Sequence, residues 1–277
     1  MVSSNLAINI SFPFCYRRCT YCTKTVCKYD PKVVKAYSKA LITEIESMAE
    51  EFEDYTVDSI YLSGSPCLME PSDLNRVLVK VRESFNLNKN VFIAVKTRPG
   101  EYSRAILDKL RDNGVNHYIV SLMTANESLH QFLGRPYDID KISMADMAIK
   151  NFNMRDLSFE LMYNIPGQSE RDFDNDLNRI LSYKPEHISL YSFNGKSNKC
   201  ERLTELGYIQ YTDNDYCLKG HESKYIVHLK EGKEYLGIGY RSKSYIDGVS
   251  YVTGRSLGRY LSDPLNFENM TDIKRIR

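Results

Sequence analysis

The chain has no tryptophan, only five histidines in 277 residues, and no apolar run approaching the length of a membrane span. A spanning helix needs about 20 consecutive apolar residues, so none is expected. The first ten residues lack the charged and apolar regions of a secretory signal. None of the histidines stands in an H-E-x-x-H pattern, which leaves no zinc-peptidase helix. Charge bias is missing too: 37 lysines and arginines face 36 acids, for a net charge of +1. That balance argues against a nucleic-acid wrapper or a polybasic membrane binder, although it leaves room for a local patch. The seven cysteines are an odd number with three of them clustered. They point to a reducing, cytoplasmic setting rather than a disulfide framework. No internal repeat or low-complexity tract is evident.

What the chain does have is the segment SFPFCYRRCTYCTKTVC from Ser11 to Cys27, in which Cys15, Cys19 and Cys22 form a C-x3-C-x2-C triplet. Three thiolates within eight residues suit three irons of a 4Fe–4S cluster. Lys24 occupies the next plausible ligand position and Cys27 lies five residues beyond Cys22, so one iron would stay open. Two other readings stand beside this one. Free cysteines often serve as small buried hydrophobes, and zinc ribbons use short cysteine spacings. Zinc, however, wants a second pair, which Cys27, Cys67, Cys200 and Cys217 do not form. Core packing would not place Arg17, Arg18 and Thr20 between the thiols. The scattered cysteines could build a second cluster only through tertiary proximity.

The remaining pattern alternates strands and helices. Strands are expected at Leu6–Phe12, Val57–Leu62, Val91–Val95, His117–Leu122, Leu157–Tyr163 and His187–Ser192. Asp30 caps a long amphipathic helix with Pro31 at its first position, where a missing N–H is harmless. Val34, Tyr37, Leu41, Ile45, Met48 and Phe52 recur along one face of it. Further helices are expected near Ser72–Phe85, from Gly100 to Arg111, and at Glu127–Leu133, Lys141–Asn151 and Glu170–Ser182. Six such units with short connections specify an α/β fold with a parallel sheet: a partial (β/α)6 TIM-type barrel, open on one side, with chemistry at the C-terminal strand ends. A doubly wound open sheet is the competing architecture. After Asn194 the alternation stops, and residues 197–277 read as a small α+β appendage packed on a barrel formed by 1–196.

Several short blocks occur in a definite order: Phe12-Pro13-Phe14-Cys15, Ser63-Gly64-Ser65-Pro66, Arg98-Pro99-Gly100-Glu101, Leu133-Gly134-Arg135, Tyr163-Asn164-Ile165-Pro166-Gly167-Gln168 and Pro185-Glu186-His187-Ile188-Ser189-Leu190-Tyr191. Gly207-Tyr208-Ile209-Gln210-Tyr211 and Tyr235-Leu236-Gly237-Ile238-Gly239 follow. Together with the triplet they resemble the radical S-adenosylmethionine (SAM) superfamily, specifically the oxygen-independent coproporphyrinogen III oxidase (HemN) family and its heme-chaperone (HemW) branch. The chain looks like a shortened, divergent member. The resemblance implies one oxygen-sensitive 4Fe–4S cluster on Cys15, Cys19 and Cys22, with SAM at the open iron. It assigns the SAM ammonium to Ser63, Gly64 and Ser65, the SAM carboxylate to Arg135 and a further SAM contact to Glu160, with Tyr21 and Met123 in the same cofactor pocket.

Departures from the family are as informative. Lys96 stands where the family has an acid and Met123 where it has a glutamine, both near the SAM ribose. A lysine cannot accept the ribose hydrogen bonds. With no acid nearby in sequence, Lys96 is expected to face an anion of the substrate or SAM, and Tyr191 is a second candidate substrate contact. Asn9 and Ser11 replace a tyrosine and a histidine, and Lys24 replaces the extra cysteine of the oxidase branch. Tyr225-Ile226 stand where the chaperone branch has a His-Asn pair, and Lys243 where it has a later histidine. The implied activity is reductive SAM cleavage to a 5′-deoxyadenosyl radical that abstracts hydrogen from a small-molecule or peptide substrate. An electron donor such as flavodoxin or ferredoxin would be needed, and neither nucleic acid nor membrane is an expected partner. The alternative is a non-catalytic, heme-chaperone-like or tetrapyrrole-handling protein. Three weaker signals are set aside. Gly237-Ile238-Gly239 lacks the third glycine of a dinucleotide fingerprint, Asp213-Asn214-Asp215 reads as a solvated turn, and His187 as a plain strand-end residue.

Overall fold

In a computed structural model, residues 5–135, 156–195, 199–266 and 270–275 are described. The expected helix at Lys141–Asn151 and the 196/197 division lie outside them. Six strands follow one another with intervening helices: β1 Asn5–Phe12, α1 Pro31–Glu51, β2 Thr56–Gly64, α2 Pro71–Ser84, β3 Leu87–Thr97, α3 Arg104–Asp112, β4 His117–Met123, α4 Glu127–Phe132, β5 Leu157–Tyr163, α5 Glu170–Leu181 and β6 His187–Ser192. Each strand pairs in parallel with the next in sequence. A doubly wound sheet would reverse its order at a switch point; this one does not. The architecture is the partial barrel.

Strand alternation separates two environments. Ile8, Ile10, Ile60, Leu62, Ile93, Val95, Val120, Leu122, Phe159 and Leu161 belong to the main apolar core with the helices. The opposite parity carries Asn9, Tyr61, Lys96, His117, Ser121, Ser158, Glu160, His187 and Ser189, a polar concave face. The helices are locally specified. Asp30 Oδ1 accepts from the amides of Lys32 (2.8 Å) and Val33 (3.3 Å) at the start of α1. Ser169 and Asp172 form a reciprocal capping box on α5.

The C-terminal region adds α6 Glu201–Glu205, β7 Ile209–Gln210, β8 Asp215–Cys217, α7 Lys224–Lys230, β9 Tyr235–Ile238, β10 Lys243–Ile246, β11 Val249–Thr253, α8 Leu257–Ser262 and β12 Met270–Arg275. It extends the barrel sheet on both edges instead of building its own, in the order β12-β11-β10-β9-β1-β2-β3-β4-β5-β6-β8-β7. β9 runs parallel to β1, and β8 is antiparallel to β6. Gly239, just after β9, has φ +98°, and a Cβ there would lie 2.5 Å from Tyr37 Oη and 2.9 Å from Ser11 O. Only glycine permits that approach. Its amide donates to Glu44 (2.8 Å), a fully buried acid of α1 that also accepts from the Tyr260 hydroxyl (2.5 Å).

One local expectation is corrected and one is met. Asp215 is buried in β8, accepting from Ser189 Oγ (2.6 Å) and Thr212 Oγ1 (2.5 Å), because pairing with β6 sets it opposite Ser189 of the polar concave face. His187 begins β6, as expected, and there Nδ1 meets Ser158 Oγ at 2.8 Å and Nε2 meets Tyr211 Oη at 2.7 Å, which satisfies a ring otherwise costly to bury.

Candidate functional site

β1 delivers the chain to the cysteine loop. Phe14-Cys15 pairs in parallel with Cys27-Lys28, and the Cys27 amide donates to Pro13 O at 2.7 Å. The intervening residues are therefore pinched out at the C-terminal end of β1. Cys15 and Cys19 are buried and Cys22 is half-buried. The Thr20 amide donates to Leu133 O (3.0 Å), which ties the loop to the turn before Arg135. All seven cysteines are free. Cys15 Sγ lies 2.9 Å from Arg17 O and Cys22 Sγ 3.9 Å from Lys24 O. Among the described residues, no three His, Cys, Asp or Glu side chains converge as they would on a single metal ion. A four-iron cluster does not require such convergence, since each thiolate takes a different iron. The chemistry of the set, three free thiols on one loop with no acid or imidazole among them, suits iron–sulfur ligation.

The turn Ser63-Gly64-Ser65 closes β2. Gly64 has φ +85°, and a Cβ would sit 2.1 Å from Phe12 O. The glycine is thus required by the approach of β1, whatever else the turn does. Ser63 Oγ donates to Ile10 O (3.4 Å), and Ser65 Oγ lies against the Arg98 guanidinium.

Arg98 was singled out by sequence only as part of a block. In the structure it is a hub: Nη1 reaches Glu101 Oε1 (3.0 Å), Ser65 Oγ and Cys15 Sγ (3.7 Å). Burial pushes the Cys15 thiol up, and the Arg98 charge draws it back in part. The signal available in sequence was an Arg and a Glu three apart, directly after a predicted strand.

Lys96, Glu160, Ser121, Arg135 and Tyr21 form one chain of contacts. Lys96 Nζ stands 2.8 Å from Glu160 Oε1 and 2.7 Å from Oε2. Burial alone would raise the Glu160 carboxyl; Lys96, Ser121 and Arg135 outweigh it and hold the group below its usual range. Arg135, only 6% exposed, contacts Tyr21 Oη and the Ser121 carbonyl. The expectation that Lys96 lacks a protein anion is therefore corrected: β5 supplies one from 64 residues away. Beside this chain Met123, Leu129, Leu133, Met162 and Ile165 make a small apolar cluster, with Tyr21, Tyr191 and Phe193 packed on it. Met123 holds φ +67° at a register shift against β5. Strain of this kind in a non-glycine residue gathers at functional sites. Burial, then the charges of Glu160 and Asp215, push the Tyr191 phenol far up. Tyr225 stacks on Tyr61, ring centroids 5.1 Å apart.

Residues 9–180 match the model of the Radical SAM superfamily. The chain belongs to that superfamily. Similar proteins include the heme chaperone HemW of Lactococcus lactis, 25% identical over 90% of this chain and 72% of its own length. The oxygen-independent coproporphyrinogen III oxidase of Salmonella typhimurium is 25% identical over 68% of this chain, but only 42% of that enzyme is covered. Among solved structures, the radical SAM enzyme HemN of Escherichia coli superposes with a TM-score of 0.83 at 19% identity, covering 99% of this chain and 73% of that one. The likeness extends over the described C-terminal strands as well as the barrel. The expected resemblance and fold class are thus shown. Radical SAM membership implies a 4Fe–4S cluster and SAM, and no helix among the described residues is long and apolar enough to cross a membrane.

Proposed function

We propose that the protein is a radical SAM enzyme in which Cys15, Cys19 and Cys22 hold the cluster and the residues around Glu160 hold SAM. The observation that carries this reading is the continuous set of contacts from the cysteine loop through Tyr21 and Arg135 to Ser121 and Glu160. It supports reading the thiols and the polar barrel mouth as one site. When bound, the cluster and SAM supply one-electron cleavage of a sulfur–carbon bond, giving methionine and a 5′-deoxyadenosyl radical that takes hydrogen from a substrate.

The protein's part is positioning and exclusion of water. Glu160, kept ionised by Lys96, offers carboxylate oxygens to donors on the cofactor. Arg135 presents a guanidinium fork of the shape a carboxylate requires. The Met123–Ile165 cluster gives a dry wall for an apolar or aromatic group. Ser63 and Ser65 line the rigid turn at the end of β2. The substrate is proposed as a small molecule or peptide that enters beside Lys96 and Tyr191. The test is electron paramagnetic resonance of the reduced, reconstituted protein. Addition of SAM is expected to change the cluster signal, and an unchanged signal with saturating SAM would contradict the site.

A second reading, a non-catalytic heme-chaperone-like protein, is favoured by the extent of the HemW match over this chain. Heme absorbance on hemin titration without SAM turnover would support it.

A further inference from the structure

The chain is nearly neutral, yet its charge is unevenly placed. Between Ser11 and Ser38 it carries six basic residues and a single acid, Asp30, whose carboxylate is engaged in capping α1. The six are Arg17, Arg18, Lys24, Lys28, Lys32 and Lys35, and all are exposed. No acid among the described residues pairs with any of them. They surround the cysteine triplet: Lys28 is the register partner of Cys15, and the Arg18 guanidinium donates to Cys22 O at 2.9 Å. In their midst Tyr16, next to Cys15, is 55% exposed. Its ring packs on Tyr29 with centroids 4.9 Å apart, and the Tyr29 amide donates to Cys15 O at 3.0 Å.

An exposed tyrosine packed on a half-buried one and ringed by cations that form no ion pair, with Asp263 the acid lining the cleft beside Lys32 and Lys35, is the composition of a protein-docking surface: an anchor at the centre and charge around it. Its position gives the reason for one. Reductive cleavage of SAM consumes an electron, and tunnelling through protein falls steeply with distance. The electron must enter where the thiols come closest to solvent, and Cys22 is only half-buried. We propose that the surface from Tyr16 to Lys28, extended along α1 by Lys32 and Lys35, docks an acidic one-electron carrier protein. One electron leaves the carrier's reduced flavin or iron–sulfur group and enters the cluster; no bond is made or broken and no proton moves. The inference rests on the reading that Cys15, Cys19 and Cys22 hold that cluster.

The experiment follows cluster reduction by stopped-flow absorbance, with chemically reduced flavodoxin as the acidic probe and reduced methyl viologen, a small cation, as the control. The wild-type rate with flavodoxin should fall steeply as salt rises. The variant carrying Arg17→Glu, Lys28→Glu and Lys32→Glu should lose about tenfold or more of that rate at low salt, along with its salt dependence. Its viologen rate and iron content should stay at wild-type values. Tyr16→Ala should slow flavodoxin reduction at every salt concentration. An unchanged flavodoxin rate in the charge variant, or a wild-type rate indifferent to salt, overturns the proposal. If the triple variant loses iron, Lys32→Glu with Lys35→Glu, confined to α1, carries the same test. Loss of RNA oligonucleotide binding with an intact flavodoxin rate would make the patch a nucleic-acid surface and also overturn it. Reconstituted wild type without cluster absorbance would instead defeat the underlying reading.

Discussion

Lys96 and Glu160 meet across the strand that separates them: Nζ lies 2.8 Å from one carboxylate oxygen and 2.7 Å from the other, with β4 between β3 and β5. Glu160 is 4% exposed at the side chain and Lys96 24%. The carboxylate is thus the member that cannot do without its partner. Removing Lys96 leaves a buried charge with only Ser121 and Arg135 to hold it, whereas removing both charges does not. Lys96→Met should lower stability by roughly 3–5 kcal/mol, and Lys96→Met with Glu160→Gln should recover most of that. Chemical denaturation of the two single variants and the double variant measures the coupling. No loss in Lys96→Met would show that Ser121 and Arg135, not lysine, suffice to keep Glu160 charged.

The same pair changes what Lys96→Glu should do. Two carboxylates would face each other in a low-dielectric site, so one would take up a proton. SAM affinity should fall in this variant, as it should by roughly tenfold in Glu160→Gln and in Arg135→Ala, the scale of one charge-assisted hydrogen bond. Isothermal titration of the reconstituted variants checks this. Unchanged affinity in Glu160→Gln and Arg135→Ala would remove both from the cofactor site.

Arg98 should tune the cluster. A guanidinium near Cys15 Sγ stabilises added negative charge, and hydrogen bonds to the ligand sulfurs are among the determinants of cluster potential. Arg98→Met should therefore shift the midpoint potential in the negative direction while iron content persists. A redox titration followed by paramagnetic resonance reads it, and an unchanged potential would leave Arg98 as a brace for Ser65 and Glu101.

Glu44 predicts a pH dependence far from the site. Burial raises its carboxyl to about 7, offset in part by hydrogen bonds from Tyr260 and the Gly239 amide. The folded pKa exceeds the unfolded one, so this contribution to stability is present in full below about pH 4.5 and is lost as pH rises through about 7. Relative to Glu44→Gln, wild type should lose Tm between pH 5.5 and pH 8.5. Parallel Tm curves for the two proteins would show that Glu44 titrates normally.

The barrel was legible because its signals are local. Alternation within each strand, Pro31 after a capping Asp30, and short connections between units all lie within a few residues of what they determine. The placement of β5 and β6 followed from the same pattern, and both match the expected Leu157–Tyr163 and His187–Ser192. The cysteine loop was legible because ligand spacing is itself a local pattern. What the sequence withheld were pairings made through the sheet. Lys96 and Glu160 are 64 residues apart, and Glu44 meets Tyr260 over a separation of 216. Asp215 read as solvated because nothing near it in sequence announces that β8 pairs with β6. The C-terminal strands were missed as sheet extensions for the same reason: short edge strands carry little periodicity of their own.

The cysteine assignment has its own check. Anaerobically reconstituted wild type should contain about four irons and four sulfides per chain, as one cluster of this type requires. Replacing Cys15, Cys19 and Cys22 together by alanine should abolish it, and replacing Cys67, Cys200 and Cys217 should not. Retention of iron in the first variant would move the ligands elsewhere, and a content near eight irons would mean a second cluster.

The account's central claim is that this site cleaves SAM. Reconstituted protein incubated anaerobically with SAM and dithionite should release 5′-deoxyadenosine and methionine, measured by chromatography and mass spectrometry, and the triple cysteine variant should release neither. A wild-type protein that carries its cluster and binds SAM, yet yields no 5′-deoxyadenosine above the variant's background with or without added candidate substrates, would contradict it.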